Sequence, residues 1–216
     1  MPSTFIRNHH LNIIKSEARN IQRCFQDIED EGVIEAVKGQ ATDRIIQQFP
    51  HLSKEEINII ESLKEVKSSI EVEAFIGSIY RYVESFPNIT KQRIKDLFPD
   101  NIRMTIPNLT RIDLSRRTYL GWNDPGQKKK YILYHQNGEL LPIEGRYIPR
   151  ALKDYCHFCK QVTTVTFVSF HTNDKSNDNT DYYRAIGHYI CLDNQECNKK
   201  IMDIRSLERV IEKVKP

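Results

Sequence analysis

The sequence predicts an α+β protein: an antiparallel helical bundle over residues 1–98, then an α/β lobe over 99–216 with an antiparallel sheet and little helix. Three observations carry this reading. Apolar residues recur at helical spacing through the first hundred positions. An Asn-Gly turn and two β-branched runs follow Pro107. Four of the five cysteines fall in two short stretches, "CHFC" (156–159) and "GHYICLDNQEC" (187–197).

The bundle is argued helix by helix. Leu11, Ile14, Ala18, Ile21, Phe25 and Ile28 follow 3-4-3-4-3 spacing, one stripe of one helix. "SKEE", Ser53 to Glu56, is a capping-box pattern in which hydroxyl and carboxylate each satisfy a free backbone N–H. It opens a helix carrying Ile57, Ile60, Leu63 and Val66. A further helix carries Val72, Phe75, Ile76, Ile79 and Val83, and a shorter one follows Thr90 with Ile94, Leu97 and Phe98. Short breaks between such helices favour antiparallel packing. His9, His10 and His51 lie near helix ends and read as solvated side chains. Cys24, beside Phe25, reads as a small, partly buried hydrophobe.

Between Pro99 and Pro107 the pattern changes. Asn137-Gly138 separates Tyr131–His135 from Glu139–Ile143, and a two-residue turn of this kind needs positive φ at both positions. "VTTVTFVSFH" and "DYYRAIGHYIC" read as two more strands, joined by the polar "TNDKSNDNT" as an exposed hairpin loop. "SLERVIEKV" closes the chain as a short helix. No internal repeat and no low-complexity tract stands out.

Composition bounds the function. No apolar run reaches membrane-spanning length, and the first twenty residues turn polar too early for a secretory signal, so a cytoplasmic protein is expected. There, clustered cysteines bind metal more readily than they form disulfides. Residues 1–100 carry 13 Lys+Arg against 16 Asp+Glu, whereas 101–216 carry 19 against 13. The basic half suits an acidic or polyanionic partner, although the excess is modest for a dedicated nucleic-acid binder. Lys128, Lys129 and Lys130 read as a solvated lead-in to the hairpin, with RNA or an acidic protein face as the alternative.

Cys156 and Cys159 have the spacing of a metal knuckle. Cys191 ends a strand, and Cys197 follows just where "NKKIMDI" suits the start of a helical turn. Knuckle, long hairpin, strand end and helix start form the order of a treble-clef zinc site, with the zinc-bearing part running from about 150 to 216. Four thiolates close a tetrahedral shell, leave no position for water, and make the zinc structural, worth on the order of 10 kcal/mol of folding. His188, two residues ahead of Cys191, is the rival ligand, but positions 188 and 191 of a strand point to opposite faces. No His-Glu-x-x-His, no deaminase-type His-x-Glu and no glycine-rich phosphate loop accompanies the cage, so no catalytic residue is expected.

"YCHFCK", the β-branched strand after it and "GHYICLDNQECN" resemble the FusB/FusC family of elongation factor G-binding proteins associated with fusidic acid resistance. The helical first half and the length fit that family as well. The resemblance implies a cytoplasmic, non-enzymatic monomer. It implies binding of elongation factor G through the zinc-bearing lobe and release of the factor from ribosomes on which fusidic acid has stalled it, or else intrinsic recycling of the factor without any drug. The drug itself is not modified, no small-molecule substrate and no membrane are involved, and the ribosome enters as an indirect partner. It also implies Cys156, Cys159, Cys191 and Cys197 as the zinc ligands. The main alternative is a zinc protein that binds ribosomal RNA; a metalloenzyme with a three-ligand zinc is the other.

The contact surface is expected beside the cage. Phe158, inside the knuckle, has little room to bury itself, and Tyr189 alternates with Ile190 on the strand into Cys191. With Arg184 or Lys160 as a neighbouring cation they have the make-up of an interface hot spot. The other reading has both aromatics simply covering the zinc site.

Overall fold

The computed structural model describes residues 3–172 and 184–214. The chain divides into two compact units, 1–84 and 85–216.

The first unit is helical: α1 (Asn8–Asp27), α2 (Glu31–Ile46), α3 (Lys54–Glu61) and α4 (Ser69–Ile79). The stripe predicted for α1 faces inward, with Leu11, Ile14, Ala18 and Ile21 at most 1% exposed. Asp30 caps α2 by accepting from Gly32 and Val33 N–H. The Ser53/Glu56 capping box forms, with Ser53 N–H donating to Glu56 at 2.8 Å and Glu56 N–H to the Ser53 hydroxyl at 3.3 Å. Ile6 bridges to Val83, which ties the two ends of the unit together.

Sequence periodicity did not reveal α2. It buries Lys38, Ala41, Thr42 and Ile45, so the helix has no apolar stripe to read. The histidines also differ from expectation. His9 and His10 are buried, with ring centroids 3.9 Å apart, and His10 lies 4.1 Å from the ring of Phe49. Burial holds the His10 pKa down at about 4, helped by the charge of Arg7 and opposed by a backbone hydrogen bond at Gln48. His51 is exposed and Cys24 half-buried.

The second unit opens with α5 (Lys91–Leu97), capped by Thr90. Six strands form one sheet: β1 (Tyr119–Asp124), β2 (Lys129–Gln136), β3 (Glu139–Tyr147), β4 (Leu152–Tyr155), β5 (Val162–His171) and β6 (Ala185–Cys191). The order is β1-β2-β3-β5-β4, with β6 also on β5 and every pairing antiparallel. Asn137 and Gly138 have φ of 52° and 81°, as the hairpin turn requires. The loop expected at "TNDKSNDNT" falls almost wholly outside the described residues. α6 (Asn194–Lys200) and α7 (Arg205–Val214) complete the unit.

β2 is buried on both faces, which explains its unbroken run of buried residues from Lys130 to Tyr134. One face, with Leu120, Trp122, Tyr131 and Leu133, packs against Phe86, Ile94 and Phe98. Trp122 stacks on Tyr131 at 5.2 Å, and Phe98 meets both rings edge-on. Residues 85–98, expected at the end of the bundle, therefore sit in the second unit, because α5 supplies the apolar cover of this sheet face. The other face, with Ile132, Tyr134 and Ile143, packs against Leu207, Val210 and Ile211 of α7 and against the four clustered cysteines.

Candidate metal centre

The knuckle Cys156–Cys159 connects β4 to β5, where short pairing from Tyr155↔Val162 to Leu152↔Val165 brings its ends together. Lys160 N–H donates to Cys156 O and Cys156 N–H to Gln161 O, each at 3.0 Å. Lys160 completes the turn with φ of 57°, a left-handed conformation. His157 N–H donates to Tyr189 O at 2.8 Å and pins the knuckle to β6. Cys191 ends β6. Cys197 lies inside α6 and not ahead of it, as the sequence had suggested. The helix starts earlier because Asp193 caps it, accepting from Gln195 and Glu196 N–H. These N–H groups are thus already satisfied by a carboxylate, so thiolate stabilisation by the helix start has less to work with.

The four sulfurs all lie within 4.8 Å of one another, and all four side chains are buried. Cys156 and Cys197 Sγ are 3.9 Å apart, and Cys159 and Cys191 Sγ 3.7 Å. A tetrahedron of thiolates at a zinc–sulfur distance of about 2.3 Å has edges of about 3.8 Å. A disulfide would need about 2.05 Å. The geometry fits a four-coordinate metal. Electrostatics point the same way. Hydrogen bonds from Cys159, Cys191 and Cys197 hold the Cys156 thiol well below its ordinary value, while Cys156 foremost pushes Cys191 and Cys197 up. Without a cation, such a cluster resists full ionisation; a divalent ion removes the conflict.

The surroundings are ordered too. Cys191 N–H donates to Cys156 Sγ at 3.3 Å. The hydroxyl of buried Tyr119 is pushed up by burial and then by the neighbouring Cys197. His188 does not join the cluster: its ring stacks on that of His157, with centroids 3.8 Å apart and planes 10° from parallel.

Of the lysine run only Lys128 is exposed. Lys128 sits in the β1–β2 turn with φ of 53°, and Lys129 pairs with Glu144 at 2.6 Å. Lys130 is fully buried, with Nζ donating to Asn123 Oδ1 at 2.9 Å and to Cys191 O at 3.1 Å. Burial holds its pKa down at about 8, against the opposing influence of Cys197, Cys191 and Cys156.

The residues expected at a contact surface separate into two groups. Phe158 is 0% exposed and meets Tyr119 edge-on at 6.0 Å. The knuckle folds this ring inward onto the sheet, so its size did not prevent burial, and a buried ring presents nothing to a partner. Tyr189 is 40% exposed. Lys160 is half-buried at the end of the knuckle, where its charge acts on His157 and His188, whereas Arg184, though exposed, precedes β6. Five residues of strand put roughly 17 Å between Arg184 and Tyr189. The unforeseen neighbour is Phe167 on β5, edge-on to Tyr189 at 5.4 Å. Its ring covers Gly187, where a Cβ would lie 2.2 Å from Phe167 Cζ. Cross-strand pairing (Phe167↔Tyr189) brings the two rings together, a register invisible without the β5–β6 alignment.

The family described as FBP C-terminal treble-clef zinc-finger matches residues 84–214, and that described as elongation factor G-binding protein, N-terminal, matches residues 5–87. Among solved structures the chain is similar to the fusidic acid resistance protein FusC. The TM-score is 0.77 at 22% identity, covering 97% of each chain. That likeness is one of fold. No curated protein matches the chain in sequence. No helix among the described residues is long and apolar enough to cross a membrane.

Proposed function

This chain belongs to the elongation factor G-binding family with a C-terminal treble-clef zinc finger, and we propose that it binds elongation factor G without catalysing a reaction. Cys156, Cys159, Cys191 and Cys197 hold a structural zinc, which supplies charge neutralisation and a rigid tetrahedral node. The single observation that carries this reading is the cage itself: it holds the knuckle beside β6, the strand on which Tyr189 pairs with Phe167 of β5. A shell closed by four thiolates leaves the metal no open position for substrate, which suits a recognition surface rather than a reaction.

Tyr189 and Phe167 form the centre of the contact patch, Lys160 of the knuckle supplies its cation, and Arg184 marks its outer limit at the start of β6. Aromatic side chains flanked by a cation are the composition of interface hot spots. Binding releases a factor stalled on the ribosome by fusidic acid, because a partner that prefers the released conformation shifts the population toward it. The protein acts as a monomer in the cytoplasm.

Size-exclusion chromatography of the purified full chain with purified elongation factor G, without ribosome, nucleotide or drug, tests the reading. Co-elution at micromolar concentration is expected, with loss of the complex after zinc removal by chelation. Separate elution of the two zinc-loaded proteins refutes it. Metal analysis of the isolated protein is expected to return one zinc per chain and no iron, the other metal suited to an all-sulfur tetrahedron.

A further inference from the structure

Lys130 is the one lysine in the sheet that the fold buries completely, on the face of β2 that looks toward the cysteines. A charged side chain almost never sits fully buried without a counter-charge, since its desolvation costs several kcal/mol. Among the described residues no carboxylate forms an ion pair with its ammonium, although Asp193 favours its charge after the cysteines do; its two hydrogen-bond acceptors, Asn123 Oδ1 and Cys191 O, are both neutral. One of them is the backbone of a cage residue. The larger negative charge lies in the cage. A divalent ion held by four thiolates carries a net charge of about −2, and this group too is buried in an apolar core.

We propose that Lys130 is the counter-ion of the metal-bound cysteine shell, a positioning residue that raises metal retention. This rests on the zinc reading above. Each partner offsets the other's desolvation: without the lysine the buried, metal-loaded cage keeps its full negative charge, and without the cage the buried ammonium has only neutral acceptors at hydrogen-bond distance. The hydrogen bond to Cys191 O also places the ammonium at the end of β6, so the charge is held next to the ligand that joins the strand to α6.

The test uses the full chain and zinc itself. The zinc dissociation constant is measured by competition with a chromophoric chelator for wild type, Lys130→Met and Lys130→Gln. Glutamine can still hydrogen-bond but carries no charge. Both variants are expected to bind zinc about tenfold or more weakly, as removal of outer-shell partners generally does. Their metal-free forms should unfold no more readily than metal-free wild type. Zinc affinity within about twofold of wild type in a wild-type protein that does hold zinc overturns the counter-ion role and leaves the zinc reading standing. A wild-type protein that holds no zinc overturns both. If glutamine restores wild-type affinity, the hydrogen bond and not the charge matters, and the proposal fails. Should neither variant fold, Asn123→Asp and Asn123→Ala replace them. Both lose the bond from Asn123 to Leu192 O, but only the aspartate sets a carboxylate beside the ammonium. Faster zinc release to the chelator from the aspartate variant is expected; equal rates overturn the proposal.

Discussion

Asn198 grips the backbone of Tyr119 from both sides: its Oδ1 accepts the Tyr119 N–H at 3.1 Å and its Nδ2 donates to the Tyr119 carbonyl at 3.0 Å. The same Oδ1 accepts the Thr118 N–H at 2.7 Å, and Nδ2 also reaches Asn194 O. One carboxamide thus does for the edge strand β1 what a neighbouring strand would do, and it moors α6, with Cys197, to the sheet. Asn198→Ala leaves buried backbone groups unpaired and is expected to cost on the order of 3 kcal/mol. Denaturant unfolding followed by Trp122, the single tryptophan and a core residue of the second unit, measures it.

Phe158 and Tyr189 are expected to respond in opposite ways. Phe158→Ala empties a fully buried site and should cost about 3–5 kcal/mol of stability. Tyr189→Ala removes a ring that is 40% exposed and should cost less than about 1 kcal/mol, while weakening binding to elongation factor G about tenfold or more. Paired unfolding curves and binding isotherms separate the two. Unchanged affinity in a folded Tyr189→Ala protein removes Tyr189 from the contact patch.

Gly187→Ala tests whether Phe167 belongs to that patch. The added methyl occupies the space under the ring and forces Phe167 away from β6. Because the ring is half-buried and can swing outward, stability should fall by only about 1 kcal/mol, with affinity for the factor reduced several-fold. Wild-type affinity combined with a displaced ring, visible by NMR of the aromatic resonances, argues that Phe167 is bystander structure.

His10 makes the helical unit acid-sensitive. Its folded pKa of about 4 lies below the ordinary 6.5, so between these values the unfolded chain binds more protons. Its contribution is complete above pH 6.5 and is lost as pH falls toward 4, by at most about 3 kcal/mol. Urea unfolding of the full chain monitored by far-ultraviolet circular dichroism at several pH values should show this slope. His10→Phe should flatten it, and an identical slope in that variant assigns the acid sensitivity elsewhere.

Features encoded within a few consecutive residues were legible in the chain. The Ser53/Glu56 box, the Asn137-Gly138 turn and the Cys156/Cys159 knuckle each need only local geometry, and all three form. The stripe of α1 was readable because one of its faces is apolar. α2 was not, since its inward face is built from a lysine, an alanine, a threonine and an isoleucine. Lys130 misled for a related reason: "KKK" reads as a solvated run, yet pleat alternation sends Lys129 toward Glu144 and Lys130 into the core. Phe158 misled because the direction in which a knuckle tips its middle residues depends on the sheet behind it.

Residue types and their spacing, then, were enough to determine the α+β class and the four cysteines that cluster, because a tetrahedral thiolate site is specified by which cysteines can reach a common point. Only the tertiary structure decided which side chains surround that point and which face outward. It buried Phe158, Lys130 and His10, moved α5 to the sheet, and paired Tyr189 with Phe167. Burial is a property of what packs on the far side of a residue, and that neighbour is contributed by a distant stretch of chain that local pattern does not identify.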